Sequence, residues 1–235
     1  TDLAISKLAQ QRLKAWFDQP QHMLIDEESI KLSPSEVFAA SEYQWVLDPI
    51  DGTAGYALGR QLYGISLGVC HRGKPILGAI YLPAQRLLVV ADEVKAWRVD
   101  DPFTPQAQQE DLQCRVLDIH SQIFVESYFG TIRRWNETAP GKFWHNTPES
   151  AVQGFASALT GQAAGATLAR IYSFWDVAAA AAIAQRAGYI IRSLVDARPL
   201  EVFGPTDFAT NWKLAEPWLL CASENFSVLS AALKE

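Results

Sequence analysis

Apolar residues recur at helical spacing from the start of the chain: Leu8, Leu13, Trp16 and Phe17 stand among Lys, Gln and Arg, behind Thr1 and Asp2 where helix caps belong. The pattern predicts an opening helix over residues 3–17 that stops before Pro20. The period then shortens. Apolar and β-branched runs at residues 23–25, 44–47, 62–70, 75–82 and 86–91, separated by turns rich in Gly and Pro, predict strands in a largely antiparallel meander. Residues 100–113 carry Pro102, Pro105 and several Gln, and predict an exposed connection. Beyond it, residues 149–159 and 175–187 predict helices, 189–191 and 218–221 strands, and 226–233 a closing helix. The Ala-rich stretch 177–184 is small enough to lie close against a sheet. No internal repeat occurs. Helices and strands in mixed order predict one α/β domain over residues 1–235, with two sub-lobes of roughly 1–100 and 114–235 around the connection.

Composition narrows the classes. Hydrophobic residues make up 49% and charged residues 20% of the chain, enough apolar surface to offset chain entropy and exclude a disordered protein. A formal net charge of -6 argues against a nucleic-acid polymer as partner, because a phosphate backbone demands a basic face. An acidic protein still binds a small phosphate where a metal ion supplies positive charge. No apolar run reaches the roughly 18 residues of a bilayer span, so no membrane partner is expected. Cys70, Cys114 and Cys221 lack C-x-x-C spacing, which argues against a disulfide framework or a thiolate zinc site and fits reduced thiols in a cytoplasm. The chain opens at Thr1 rather than Met, as it would if a segment ahead of it had been removed.

The chemistry concentrates in Trp45-Val46-Leu47-Asp48-Pro49-Ile50-Asp51-Gly52-Thr53. An apolar strand delivers Asp48 to its end, Pro49 stops the ladder for want of an N–H, and the step to Asp51 can bring both carboxylates to one side of a turn. Two acids so placed can share a cation, and the exposed carbonyl of Ile50 adds the kind of oxygen ligand that Mg²⁺ takes. Gly52 lets a ligand approach the backbone, and Thr53 opens a segment whose free N–H groups can hold phosphate. The same Asp-Pro-x-Asp-Gly string is also ordinary turn chemistry. Further acids sit in comparable places. Asp26-Glu27-Glu28-Ser29 follows the strand at 23–25, and Asp176 opens the small-residue helix, where it also reads as a simple cap.

With these residues in order, the sequence resembles the inositol monophosphatase family, the Mg²⁺-dependent, lithium-sensitive sugar phosphatases that include histidinol-phosphate, fructose-bisphosphate and bisphosphonucleotide phosphatases. The acid pair in Glu27-Glu28-Ser29, then Asp48-Pro49-Ile50-Asp51-Gly52-Thr53, then Trp175-Asp176-Val177-Ala178 carry the resemblance. It implies an α/β fold, a layered α-β-α-β-α sandwich of the sugar-phosphatase type with mixed, largely antiparallel sheets. It implies a Mg²⁺-dependent phosphomonoesterase acting on a small phosphorylated metabolite, inositol monophosphate or a related sugar or polyol phosphate, with two or three Mg²⁺ ions and a homodimeric state. Glu27, Asp48 and the Ile50 carbonyl would hold one ion, and Asp48, Asp51 and Asp176 a second. The step from Glu27 to Asp48 is longer than the family's, so Glu28 is the alternative ligand. Asp2, Thr53 and Glu27 would orient the attacking water. Gly52, Thr53, Ser150, Ala151 and Asp176 would receive the phosphate and its sugar.

The substrate end departs from the family pattern. Glu149-Ser150-Ala151 stands where a Gly-Ser or Gly-Thr pair precedes Ala, and Ala169-Arg170 where inositol phosphatases carry an acid. Histidinol-phosphate or bisphosphonucleotide hydrolysis, and a non-catalytic metal-binding relative acting through a protein partner, are therefore alternatives. Gly64-Ile65-Ser66-Leu67-Gly68 matches the G-x-S-x-G string of serine hydrolases, but the alternation runs on through Val69 and Cys70 and makes Ser66 a strand residue. His71-Arg72-Gly73-Lys74 predicts a hairpin turn, and Trp45 and Trp175 are expected to pack beneath the acids.

Overall fold

The computed structural model describes residues 1–118, 123–124, 145–146 and 150–233; Glu149 lies outside them. The expected opening helix forms as two, α1 (Asp2–Arg12) and α2 (Lys14–Phe17), with Leu13 leaving helical geometry between them at φ -99 and ψ 8. Its apolar spacing does not mark the buried face. Leu8 is 52% exposed, whereas Ser6, at 2%, is the residue that α1 buries.

Strands β1 (His22–Asp26), β2 (Tyr43–Asp51), β3 (Gly64–His71), β4 (Lys74–Leu82), β5 (Leu87–Ala91), β6 (Ala96–Asp100) and β7 (Gln108–Asp111) lie in chain order in one sheet. β1 runs parallel to β2, and every later pair is antiparallel. A parallel pair needs a crossover, which α3 (Pro34–Ala40) supplies. The apolar pattern does not predict α3, although Ser33-Pro34-Ser35-Glu36 holds a capping box: Glu36 accepts from the Ser33 N–H at 2.7 Å and Ser33 Oγ accepts from the Glu36 N–H at 3.4 Å. The connection expected at 100–113 is exposed, but it also folds back as the edge strand β7. Arg72 and Gly73, at φ 51 and 79, form the expected hairpin turn between β3 and β4, where both central residues need positive φ.

A second sheet, among the described residues, has the order β11 (Ile190–Ser193), β12 (Trp218–Cys221), β10 (Gly165–Leu168), β8 (Ile123–Phe124), β9 (His145–Asn146). β8 runs parallel to β9 and β10, and β12 antiparallel to both its neighbours. Helices α5 (Ala151–Leu159) and α6 (Phe174–Ala187) lie between the sheets, touching both. Along β12 the side chains alternate: Trp218 and Leu220 face the main core, while Leu219 and Cys221 meet Leu229 and Leu233 of α7 (Phe226–Leu233). With α1 and α2 against β1 and β2, the layers run α-β-α-β-α, as the resemblance implies.

The Ala-rich stretch does lie close on the first sheet. Gly68 and Gly78 are cross-strand partners beneath α6; a Cβ at Gly78 would stand 2.4 Å from the Ala179 carbonyl oxygen, and one at Gly68 2.8 Å from the Ala178 Cβ. Bare strand positions and methyl side chains together set the separation. The start of α6 is fixed by aromatic packing: Phe174 stacks on Trp212 at 5.7 Å and 6°, meets Phe203 and Phe208, and donates its N–H to the Trp212 carbonyl at 3.1 Å. These contacts hold the helix start over the end of β2.

Candidate active site

Asp48 pairs with Ser66 across β2 and β3, and Asp51 with Gly64, so three steps on β2 oppose two on β3. In a regular strand residues three apart point to opposite faces; the extra residue at Pro49-Ile50 reverses the alternation and turns both carboxylates to the α6 side. Pro49 thus shifts the ladder rather than stopping it, and β2 continues to Asp51. Gly52 follows at φ 88, a left-handed conformation that only glycine adopts freely, and turns the chain into α4 (Thr53–Ala57). The Thr53 hydroxyl donates to the Ile50 carbonyl at 2.8 Å, leaving that carbonyl a second lone pair.

Asp176 comes from the first turn of α6, where its Oδ2 accepts the Ser173 N–H at 2.6 Å. The strand grips this turn from below, since buried Ser66 donates to the Trp175 carbonyl at 3.0 Å. That bond leaves Ser66 a strand residue, as the alternation predicts. Asp51 sits at the start of α5, accepting from the Ser150 hydroxyl and from the Val152 N–H at 2.9 Å. Each of Asp48, Asp51 and Asp176 offers a carboxylate oxygen, and these lie within 4.8 Å of one another. Glu27 reaches the group from the end of β1: its N–H extends the ladder to the Leu47 carbonyl at 3.3 Å, and its carboxylate acts on Asp48 through its charge. Glu28 and Asp2 act on Glu27 through their charge.

Burial, then the charges of Asp51, Asp176 and Glu27, hold the Asp48 carboxyl well above the usual carboxylate range. Burial and then Asp51 do the same to Asp176. Asp51 is pushed up by burial against the pull of Ser150 and Val152, and Glu27 by burial and then Glu28. Asp48 Oδ1 is fully buried and has no hydrogen-bond partner. Clustered hard oxygen donors, mutual repulsion and one orphaned oxygen are what a divalent cation such as Mg²⁺ would relieve, so the residues fit the ion.

The structure therefore brings together Asp48, Asp51, Asp176 and Glu27, with Ile50, Gly52 and Thr53 on the adjoining turn and Ser150 and Ala151 at the start of α5. Arg170 is exposed. Trp45 departs from expectation. It shares the opposite face of the sheet with Trp16, Phe17 and His22, because it is an odd number of residues from Asp48 on the regular part of β2. The supporting hydroxyls of Ser66, Ser6 and Ser29 were not legible as such; Ser6 stands one helical turn after Asp2, which is the available signal.

The model of the inositol monophosphatase family matches residues 1–225. A putative Nus factor SuhB of Neisseria meningitidis serogroup B is 27% identical over 184 residues, covering 74% of this chain and 66% of that protein. The 3'(2'),5'-bisphosphate nucleotidase CysQ of Escherichia coli K12 is 27% identical over 147 residues, covering 61% of this chain and 56% of its own. The chain thus spans less than two thirds of the length of these curated relatives. Among solved structures, an IMPase of Thermotoga maritima superposes with a TM-score of 0.73 at 17% identity, covering 99% of this chain and 81% of the other. SuhB of Mycobacterium tuberculosis superposes with 0.69 at 22%, covering 99% and 82%. These likenesses show the fold. Among the described residues, no helix is long and apolar enough to cross a membrane.

Proposed function

Because the chain belongs to the inositol monophosphatase family, we propose that it is a Mg²⁺-dependent phosphomonoesterase acting on a small phosphorylated metabolite. The observation that carries the reading is the convergence of the Asp48, Asp51 and Asp176 oxygens within 4.8 Å, with Asp48 Oδ1 buried and unpartnered. Glu27, Asp48, Asp51, Asp176 and the Ile50 carbonyl would hold two or three ions. When bound, such ions neutralise the phosphate dianion and lower the pKa of a coordinated water.

The remaining work falls to the chain itself. The Thr53 hydroxyl gives its proton to Ile50, so its lone pairs are free to accept from an attacking water. Glu27, whose carboxyl is raised by burial and by the charge of Glu28, would take the water's proton, and Asp2 would orient it from α1. Gly52 leaves the backbone open to the phosphate, and Ser150 keeps Asp51 in place through its hydroxyl. We place the protein in the cytoplasm as a homodimer, in keeping with its three free thiols and the family it joins.

Phosphate release from inositol monophosphate, histidinol phosphate, fructose bisphosphate and a 3',5'-bisphosphonucleotide, with and without Mg²⁺, tests the reading. Turnover should need Mg²⁺ and fall by about 10²-fold or more in Asp51→Asn, given the several kcal/mol that metal charge contributes to such a transition state. The relative named as a bisphosphate nucleotidase makes that ester the first alternative to the inositol phosphate. The relative named as a putative Nus factor favours a second reading, a metal-binding protein that acts through a partner. Mg²⁺ binding without release from any ester would select it.

A further inference from the structure

Asp26 closes β1 and is 0% exposed. Strand alternation sends its side chain toward α1, while the next residue, Glu27, turns the other way to Asp48. Four neutral donors occupy both Asp26 oxygens: Ser6 Oγ and the Glu28 N–H at 3.1 Å each on Oδ1, and Gln10 Nε2 at 3.5 Å and Ser29 Oγ at 3.2 Å on Oδ2. An acid so filled is not a free ligand. Two of its donors belong to α1 and two to the turn that carries Glu27.

Beside Ser6 on this face, α1 brings only the half-buried Ile5 and Ala9 to the sheet. Its Leu3 and Leu8 are exposed, and Ser6 is the residue it buries. Asp2, Ser6 and Gln10 recur at four-residue steps and so lie along one side of α1. Fixing Ser6 and Gln10 on Asp26 therefore fixes the side from which Asp2 acts on Glu27.

We propose that Asp26 is a positioning residue: its single buried carboxylate locks α1 to the turn after β1, and so presents Asp2 and Glu27 to Asp48 as one unit. The proposal rests on the metal-dependent reading of the acid cluster, but its test does not depend on turnover alone.

Asp26→Ala and Asp26→Asn are compared with the parent in the full chain. The readouts are amide hydrogen exchange in the metal-free protein, Mg²⁺ affinity by calorimetry, and Mg²⁺-dependent kcat and KM. Exchange should rise together over residues 1–12 and 27–29, and Mg²⁺ affinity or kcat should fall by about 10- to 100-fold, as for other residues that orient ligands, with KM for the ester little changed. Asp26→Asn, which keeps one accepting oxygen, should fall between. Adding Ser6→Ala to Asp26→Ala should bring no further loss, since both remove the same link. A lowered melting temperature with unchanged Mg²⁺ affinity and kcat, or exchange rising in one segment alone, overturns the proposal. If Asp26→Ala does not fold, Ser6→Ala and Ser29→Ala each break one side of the link and carry the same comparison. If the parent releases no phosphate, the phosphatase reading fails, while exchange and Mg²⁺ affinity still decide the role of Asp26.

Discussion

Removing the charge of Asp48 should stabilise the metal-free protein and weaken the metal-loaded one. Asp48 is buried, one of its oxygens has no partner, and Asp51, Asp176 and Glu27 all raise its carboxyl. Asn at this position keeps the shape, carries no charge, and offers amide donors to the acids whose charges bear on Asp48, namely Asp51, Asp176 and Glu27. An unsatisfied buried polar group costs about 1–3 kcal/mol, and a charged one more, so the metal-free Asp48→Asn variant should gain on the order of 1–3 kcal/mol at neutral pH. For a chain of this size that is a rise of roughly 2–12 °C in melting temperature. Scanning calorimetry with a chelator and then with excess Mg²⁺ reads both halves. Mg²⁺ should raise the melting point of the parent by mass action and leave that of the variant nearly unmoved, inverting their order. The pH dependence has a definite sign. Because the folded carboxyl titrates above its unfolded value near 3.9, the metal-free parent binds more protons folded than unfolded. Its stability is therefore full in acid, below the unfolded value, and is lost as pH rises through the raised folded one. The gap between variant and parent should close in acid. A variant less stable than the parent without metal at neutral pH, or a gap that widens in acid, would refute the reasoning.

Three further outcomes follow from the packing. Gly78→Ala forces a methyl to 2.4 Å from the Ala179 carbonyl oxygen, so the sheet and α6 must separate; urea unfolding should show a loss of about 1–3 kcal/mol, with Mg²⁺ affinity reduced because Asp176 moves with the helix. Ser66→Ala loses the bond to the Trp175 carbonyl and should cost about 0.5–1.5 kcal/mol, and a serine-directed phosphonate should leave any phosphatase activity of the parent intact. Ser33→Ala removes the cap of α3 and should cost about 1 kcal/mol in the same unfolding assay without changing Mg²⁺ affinity.

Much of the architecture was legible where one local rule governs. The runs at 44–47 and 75–82 are short, apolar and bounded by turns, the Ala-rich helix is small on the side that meets the sheet, and the hairpin turn at Arg72-Gly73 has the chemistry its geometry needs. The elements that escaped depend on partners. β7 is four exposed polar residues, Gln108–Asp111, whose strand state comes from pairing with β6 rather than from its own pattern. The apolar spacing of α1 points the wrong way because a polar hub docks the helix, and no hydrophobic period reports Ser6 against Asp26. The shift at Pro49-Ile50 is likewise a property of two strands: it exists only in the register of β2 against β3. The acids could be named from the string, but the side to which they turn could not.

The same geometry dissolves a choice that the sequence poses, between acids that cap turns and helices and acids that bind metal. Asp176 Oδ2 takes the Ser173 N–H at the start of α6, and Asp51 Oδ2 takes Ser150 and Val152 at the start of α5. In each case one part of the carboxylate anchors the fold, while an oxygen of the same group stands within 4.8 Å of its neighbours. Two helix N-termini directed at the cluster supply partial positive charge, which offsets some of the repulsion that burial would otherwise make prohibitive. Asp48 has no such support, and it is Asp48 that holds the orphaned oxygen. Capping therefore need not compete with ligation: it holds acids from β2 and α6 close together, in the arrangement a cation would need.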